Sequence, residues 1–140
     1  MSYLDTFIQV APDCPVTSSV IPAARNEKKP MHVIQYELLA QHPYEYTHED
    51  LLFEVHIRRK EFSREDLANR GEEIRAELFQ KKHPCLRASS LPKKYGWGVH
   101  YNSEGKIALY GMETDEYKKF VEGVQDGNTQ LLYALKSKRG

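Results

Sequence analysis

Two cysteines and six histidines are the residues of this chain best suited to bond-making chemistry. Cys85 stands in Lys81-Lys82-His83-Pro84-Cys85-Leu86-Arg87. Neighbouring cations favour the nucleophilic thiolate over the thiol. His83 or His100 would serve as its base once folding brings a ring close. A thiol-dependent enzyme built on Cys85 is therefore one expectation, and a buried, inert cysteine is the plainer one. Cys14 follows Asp13, whose charge works against the thiolate, so it is the poorer nucleophile. Neither cysteine belongs to a C-x-x-C, and a disulfide between them is not expected in a reducing compartment.

The remaining motifs exclude more than they support. His32, His42, His48, His56, His83 and His100 make neither H-E-x-x-H nor a cysteine/histidine pattern with zinc spacing. No metal site and no cofactor is expected. Walker A, G-x-G-x-x-G and G-x-S-x-G are all missing from the sequence. The acidic pairs Glu65-Asp66 and Asp115-Glu116 fall at expected helix starts, where the helix dipole accounts for them. Tyr44 and Tyr46, two of nine tyrosines, combine apolar area with a polar tip and suit a core edge or a surface.

Charge is the stronger signal. The 140 residues hold 20 Lys+Arg against 20 Asp+Glu, a formal net charge of zero. Such a balance argues against a dedicated nucleic-acid binder, which is basic overall. The zero hides opposed blocks. Residues 45–77 carry ten acids and six bases, a net of −4. Residues 78–103 have no acid, and Lys81, Lys82, Arg87, Lys93 and Lys94 give them +5. Residues 104–126 return to −3. The basic block also contains Tyr95, Trp97 and Tyr101, with Gly96 and Gly98 between them. Cations attract anionic groups, flat rings stack on ligands, and strand glycines let another backbone or a ligand come close. These eight side chains are the expected ligand-binding set. The partner they fit is a small anionic ligand or another protein. Nucleic acid is not favoured. The alternative is a solvated loop leading into a hairpin whose rings belong to the core.

The elements that must position these residues follow from periodicity and turn chemistry. Thr6-Phe7-Ile8-Gln9-Val10 reads as a strand. Pro30 opens a helix that stops before Pro43. Phe53, Val55 and Ile57 alternate with Glu54, His56 and Arg58, and are read as a strand, although Leu51, Leu52 and Val55 also fit helical spacing. Ser63 caps a helix with Leu67, Ile74 and Leu78 on one face, running to about Lys82. Strands over 95–101 and 106–110 form a hairpin, with Gly105 in a left-handed turn position and the register left open. Thr114 caps a further helix, broken at Asp126-Gly127-Asn128, and Leu131 to Leu135 is a last strand. The order is β-α-β-α-β-β-α-β. It predicts one α+β domain over 1–140, a single-layer and mostly antiparallel sheet packed by helices.

Length and composition agree with one soluble domain. No apolar run approaches the ~20 residues of a membrane span, and no secretory signal opens the chain, so a cytoplasmic location is expected. Homodimerisation through an edge strand is a third way for such a domain to act. Thr6-Phe7-Ile8-Gln9-Val10-Ala11-Pro12-Asp13-Cys14-Pro15, Pro84-Cys85-Leu86-Arg87-Ala88-Ser89-Ser90-Leu91, Tyr95-Gly96-Trp97-Gly98 and Gly105-Lys106-Ile107-Ala108-Leu109-Tyr110-Gly111 together carry a family resemblance. Through them the chain resembles a family of small uncharacterised bacterial proteins over nearly its full length. That resemblance implies a bacterial cytoplasmic single-domain protein and carries no activity, cofactor or catalytic residue.

Overall fold

A computed structural model describes residues 3–23, 29–60, 62–123 and 129–136. The expected helix break at Asp126-Gly127-Asn128 and the tail cations Lys138 and Arg139 lie outside these residues. The elements are β1 (Thr6–Gln9), α1 (Met31–Gln41), α2 (His48–Lys60), α3 (Arg64–Phe79), α4 (Ser90–Lys94), β2 (Trp97–Tyr101), β3 (Ile107–Gly111), α5 (Asp115–Glu122) and β4 (Gln130–Tyr133). This is the expected α+β fold. None of the described helices is long and apolar enough to cross a membrane.

The sheet has the order β3-β2-β1-β4. β1 pairs antiparallel with β2 and parallel with β4, and β2 pairs antiparallel with β3. Ile8 lies opposite Val99, and Val99 opposite Leu109. The hairpin register left open by the sequence is fixed with Tyr101 opposite Ile107. Asn102 Oδ1 accepts from the Glu104 and Lys106 amides, and Gly105 takes φ +78 to close the turn.

Each face of the sheet has its own core. On one face Ile8, Val99, Tyr101 and Ile107 pack with Leu38 and Leu39 of α1 and with Leu51 and Val55 of α2. On the other, Phe7 packs with Tyr117 and Phe120 of α5. The Phe7 and Phe120 rings stack at 4.6 Å, and Tyr117 meets Phe7 edge-on at 5.1 Å. A Cβ on Gly98 would lie 2.5 Å from Phe7 Cζ and 2.6 Å from Tyr117 Cε2. The space read as room for a ligand is filled by the protein's own rings.

Two elements differ from the expected order: α4 is an additional short helix, and α2 stands where a strand was expected. Residues 53–57, read as a strand, belong to α2. Thr47 Oγ1 accepts from the Asp50 amide and Asp50 Oδ2 from the Thr47 amide, a reciprocal cap at the helix start. Glu49 and Asp50 occupy the first turn and Arg58, Arg59 and Lys60 the last, matching the helix dipole at both ends. His48, Leu51 and Val55 face inward at helical spacing. Phe53 and Ile57, which carried the period-two pattern, form a second stripe in the cleft beside α3.

α3 docks thinly. Its cap is the expected one, Ser63 Oγ accepting from the Asp66 amide, yet Ile74 alone of its sixteen residues is buried. Arg75 ties it to α2 by an ion pair with Asp50 at 3.3 Å and by lying over the Phe53 ring, as it also lies over the Phe79 ring of α3 itself.

Candidate functional site

The turn after α3 brings three members of the basic segment beside the start of α2. Pro84 prevents the helix from continuing, and Lys81-Lys82-His83 folds back along its end. The His83 ring spans the turn, its Nε2 lying 2.7 Å from the Leu78 carbonyl. A carbonyl oxygen only accepts, so Nε2 carries the proton and donates to one of the carbonyls that a helix end leaves unpaired.

A cavity of about 420 Å³ opens there, lined by His48, Glu49, Leu52, Phe79, Lys81, Lys82 and His83. An adjoining one of about 510 Å³ shares Lys81 and His83 and adds His56 and Glu77. Lys81 and Lys82 are exposed, with Glu49 opposing them as an exposed carboxylate. The first turn of α2 adds the positive end of a thirteen-residue helix. His48 is 2% exposed, and neither of its ring nitrogens has a hydrogen-bond partner. Burial, with the nearby His83 adding to it, pushes its pKa down to about 4. His48 is therefore neutral at pH 7 and offers one N–H donor and one lone pair. Burial also lowers the His56 pKa, assisted by Lys60 and His83.

The rest of the expected binding set is dispersed. Arg87 Nε donates to the Tyr133 carbonyl of β4 at 2.8 Å. Lys93 and Lys94 end α4. Tyr95 stacks on His32 at 5.0 Å, and Trp97 meets Tyr36 at 5.1 Å while its Nε1 donates to the Val20 carbonyl. Tyr101 is fully buried in the core facing α1 and α2, and presents no surface to a ligand. Trp97 and Tyr101 stand at alternate positions of β2 that point at the helices covering the sheet, whereas Tyr95 precedes the strand at the end of α4.

Cys85 and Cys14 are free thiols, both half-buried. Cys85 Sγ lies 3.6 Å from Tyr3 Oη, while His83 bonds the Leu78 carbonyl and His100 Nδ1 lies 2.8 Å from Tyr44 Oη. The neighbour of the thiol is a phenol. Tyr44 Oη is also 2.6 Å from Tyr110 Oη, and the Tyr44 backbone holds φ +60, a strained value for a side-chain-bearing residue. Burial, with the Tyr110 hydroxyl beside it, raises the Tyr44 pKa. The described residues include no grouping of three or more His, Cys, Asp or Glu that would hold a metal.

Sequence reasoning singled out Lys81, Lys82 and His83 but missed His48 as their companion. The signal was present: His48 sits between Thr47 and Asp50 of the helix cap, seven residues before Val55, on the inward face of a helix. Reading 53–57 as a strand concealed it.

No curated protein and no solved structure matches the chain. A family model described as a family of unknown function (DUF6157) matches residues 1–140. The chain belongs to that family, DUF6157, whose function is unknown.

Proposed function

We propose that this protein is a non-enzymatic binding domain whose site is the cavity between the start of α2 and the Lys81-Lys82-His83 turn, and that its ligand is a small anion. One observation carries the reading: two exposed lysines converge on a cavity walled by a buried histidine whose ring nitrogens have no partner. Lys81 and Lys82 outweigh Glu49, so the rim is net cationic. A buried polar group left without a partner costs roughly 1–3 kcal/mol, which a ligand able to bond it would recover. His48 is neutral, so it pairs best with a ligand bearing both an acceptor oxygen and a hydroxyl. A phosphate monoester or a hydroxy acid has both.

Calorimetric titration of inorganic phosphate and of citrate at low salt tests this. Binding with Kd of about 1 mM or tighter is expected, weakening roughly ten-fold when Lys81 and Lys82 are both replaced by Ala. Equal affinity in parent and double variant would sink the proposal, as would no heat with either anion.

A further inference from the structure

The anion cavity does not stand alone. The neighbouring cavity of about 510 Å³ shares Lys81 and His83 with it, so the two meet at the turn after α3. A phosphate group held by Lys81, Lys82 and His48 occupies the first cavity and leaves the second to the rest of its ligand. The side chains of the second cavity set what that rest must be. Glu77 is an exposed carboxylate, which accepts hydrogen bonds and donates none. Its ion pair with Arg70 is long, at 4.0 Å, and exposed, so a ligand can compete for its oxygens. Gln80 offers an amide donor and a carbonyl acceptor. His56 is neutral at pH 7, because burial and the nearby Lys60 lower its pKa from 6.5, and it offers one donor and one acceptor.

A hydroxyl both donates and accepts, so a row of hydroxyls answers all three side chains. An ammonium group would suit Glu77 alone and would lie beside Lys81, which the two cavities share. A nucleobase binds by stacking on a flat ring, and Phe79 lines the phosphate cavity and not this one. We infer that the ligand is the phosphate monoester of a polyol or sugar, its phosphate beside Lys81, Lys82 and His48 and its hydroxyls beside His56, Glu77 and Gln80. The inference rests on the anion site proposed above and adds the second half of the ligand to it.

Calorimetry on the full chain at low salt compares methyl phosphate, which has the charged group alone, with glucose-6-phosphate. Two further hydrogen bonds should make the sugar ester bind about ten-fold tighter. Glu77→Ala combined with Gln80→Ala should bring that ratio to about two-fold. Taking the ratio cancels any general gain in anion affinity from losing the Glu77 charge. Both positions are exposed at the end of α3, and a thermal melt checks the fold of the variant. Gln80→Ala alone should lower the ratio about three-fold, which keeps the test available if the double variant unfolds. Equal affinity for the two esters overturns this inference and leaves the anion site standing. A ten-fold ratio that survives the substitutions overturns it as well, since the hydroxyls then bind elsewhere. No binding of either ester overturns the anion site and this inference together.

Discussion

The central strand and the α2–α3 arm use their side chains in opposite ways. All four residues of β1 are buried, and Phe7 alone meets two aromatic rings. α3 is four times as long and buries one residue. Density of packing leaves β1 nothing to offer a ligand. Along the arm, Lys81, Lys82 and the buried but unbonded His48 are not consumed by the fold. Binding and moving elements are drawn from the less stable parts of proteins for this reason. Substitutions in the two regions should therefore separate into those that unfold the chain and those that leave it folded while altering the arm.

The largest effect is expected at Gly98. Alanine there would drive a methyl into the Phe7 and Tyr117 rings, which face each other inside the core and have nowhere to move. Gly98→Ala should cost about 3 kcal/mol, read as a lower urea midpoint.

Acid should expose the contribution of His48 next. Its folded pKa is near 4 against the ordinary 6.5. Above pH 6.5 the ring is neutral in both states and adds no pH dependence. Between pH 6.5 and 4 the unfolded chain takes up the proton and the folded chain does not, so stability falls. Below pH 4 both states are protonated and the loss levels off. The drop should be on the order of 2–3 kcal/mol, and smaller in His48→Leu, by urea titrations across that range. An unchanged slope in the variant would remove His48 from the explanation.

Ile74→Ala should cost about 2 kcal/mol, at the low end for a buried aliphatic because the arm can close around the gap. Hydrogen exchange should rise along α3 and stay unchanged in β1 and β2. Equal acceleration in both would show that arm and sheet open as one unit.

Two of the side-chain caps give the finest comparison. Thr114 Oγ1 accepts from the Tyr117 amide at the start of α5, whose Phe120 fills the core, and Ser63 does the same for the thinly docked α3. Thr114→Ala should cost about 1 kcal/mol and Ser63→Ala about half that, by thermal denaturation.

Elements governed by local chemistry were legible in the sequence. Pro30, Ser63 and Thr114 each stand at a helix start, and Gly105 holds the left-handed position of the hairpin turn. Residues 53–57 misled because Phe53 and Ile57 are half-buried against a neighbouring helix, so an outer apolar stripe on α2 imitated strand alternation. The charge pattern picked out Lys81 and Lys82 as exposed cations, since the exposure of a lysine depends little on tertiary context. It grouped Tyr101 with them wrongly, because sequence spacing does not tell a ring facing a helix layer from one facing solvent. The contact between Tyr3 and Cys85 joins the first strand's approach to a loop 82 positions away, beyond the reach of any local pattern.

The most direct measurement is a nitrogen–proton correlation spectrum of the full chain during phosphate titration at low salt. Saturable shifts are expected in the amides of His48, Glu49 and Lys81 to His83, with β1 and β2 unmoved, and they should vanish when Lys81 and Lys82 are both alanine. Shifts that spare the arm, or that survive the double substitution, would contradict the assignment of the binding site to this cavity.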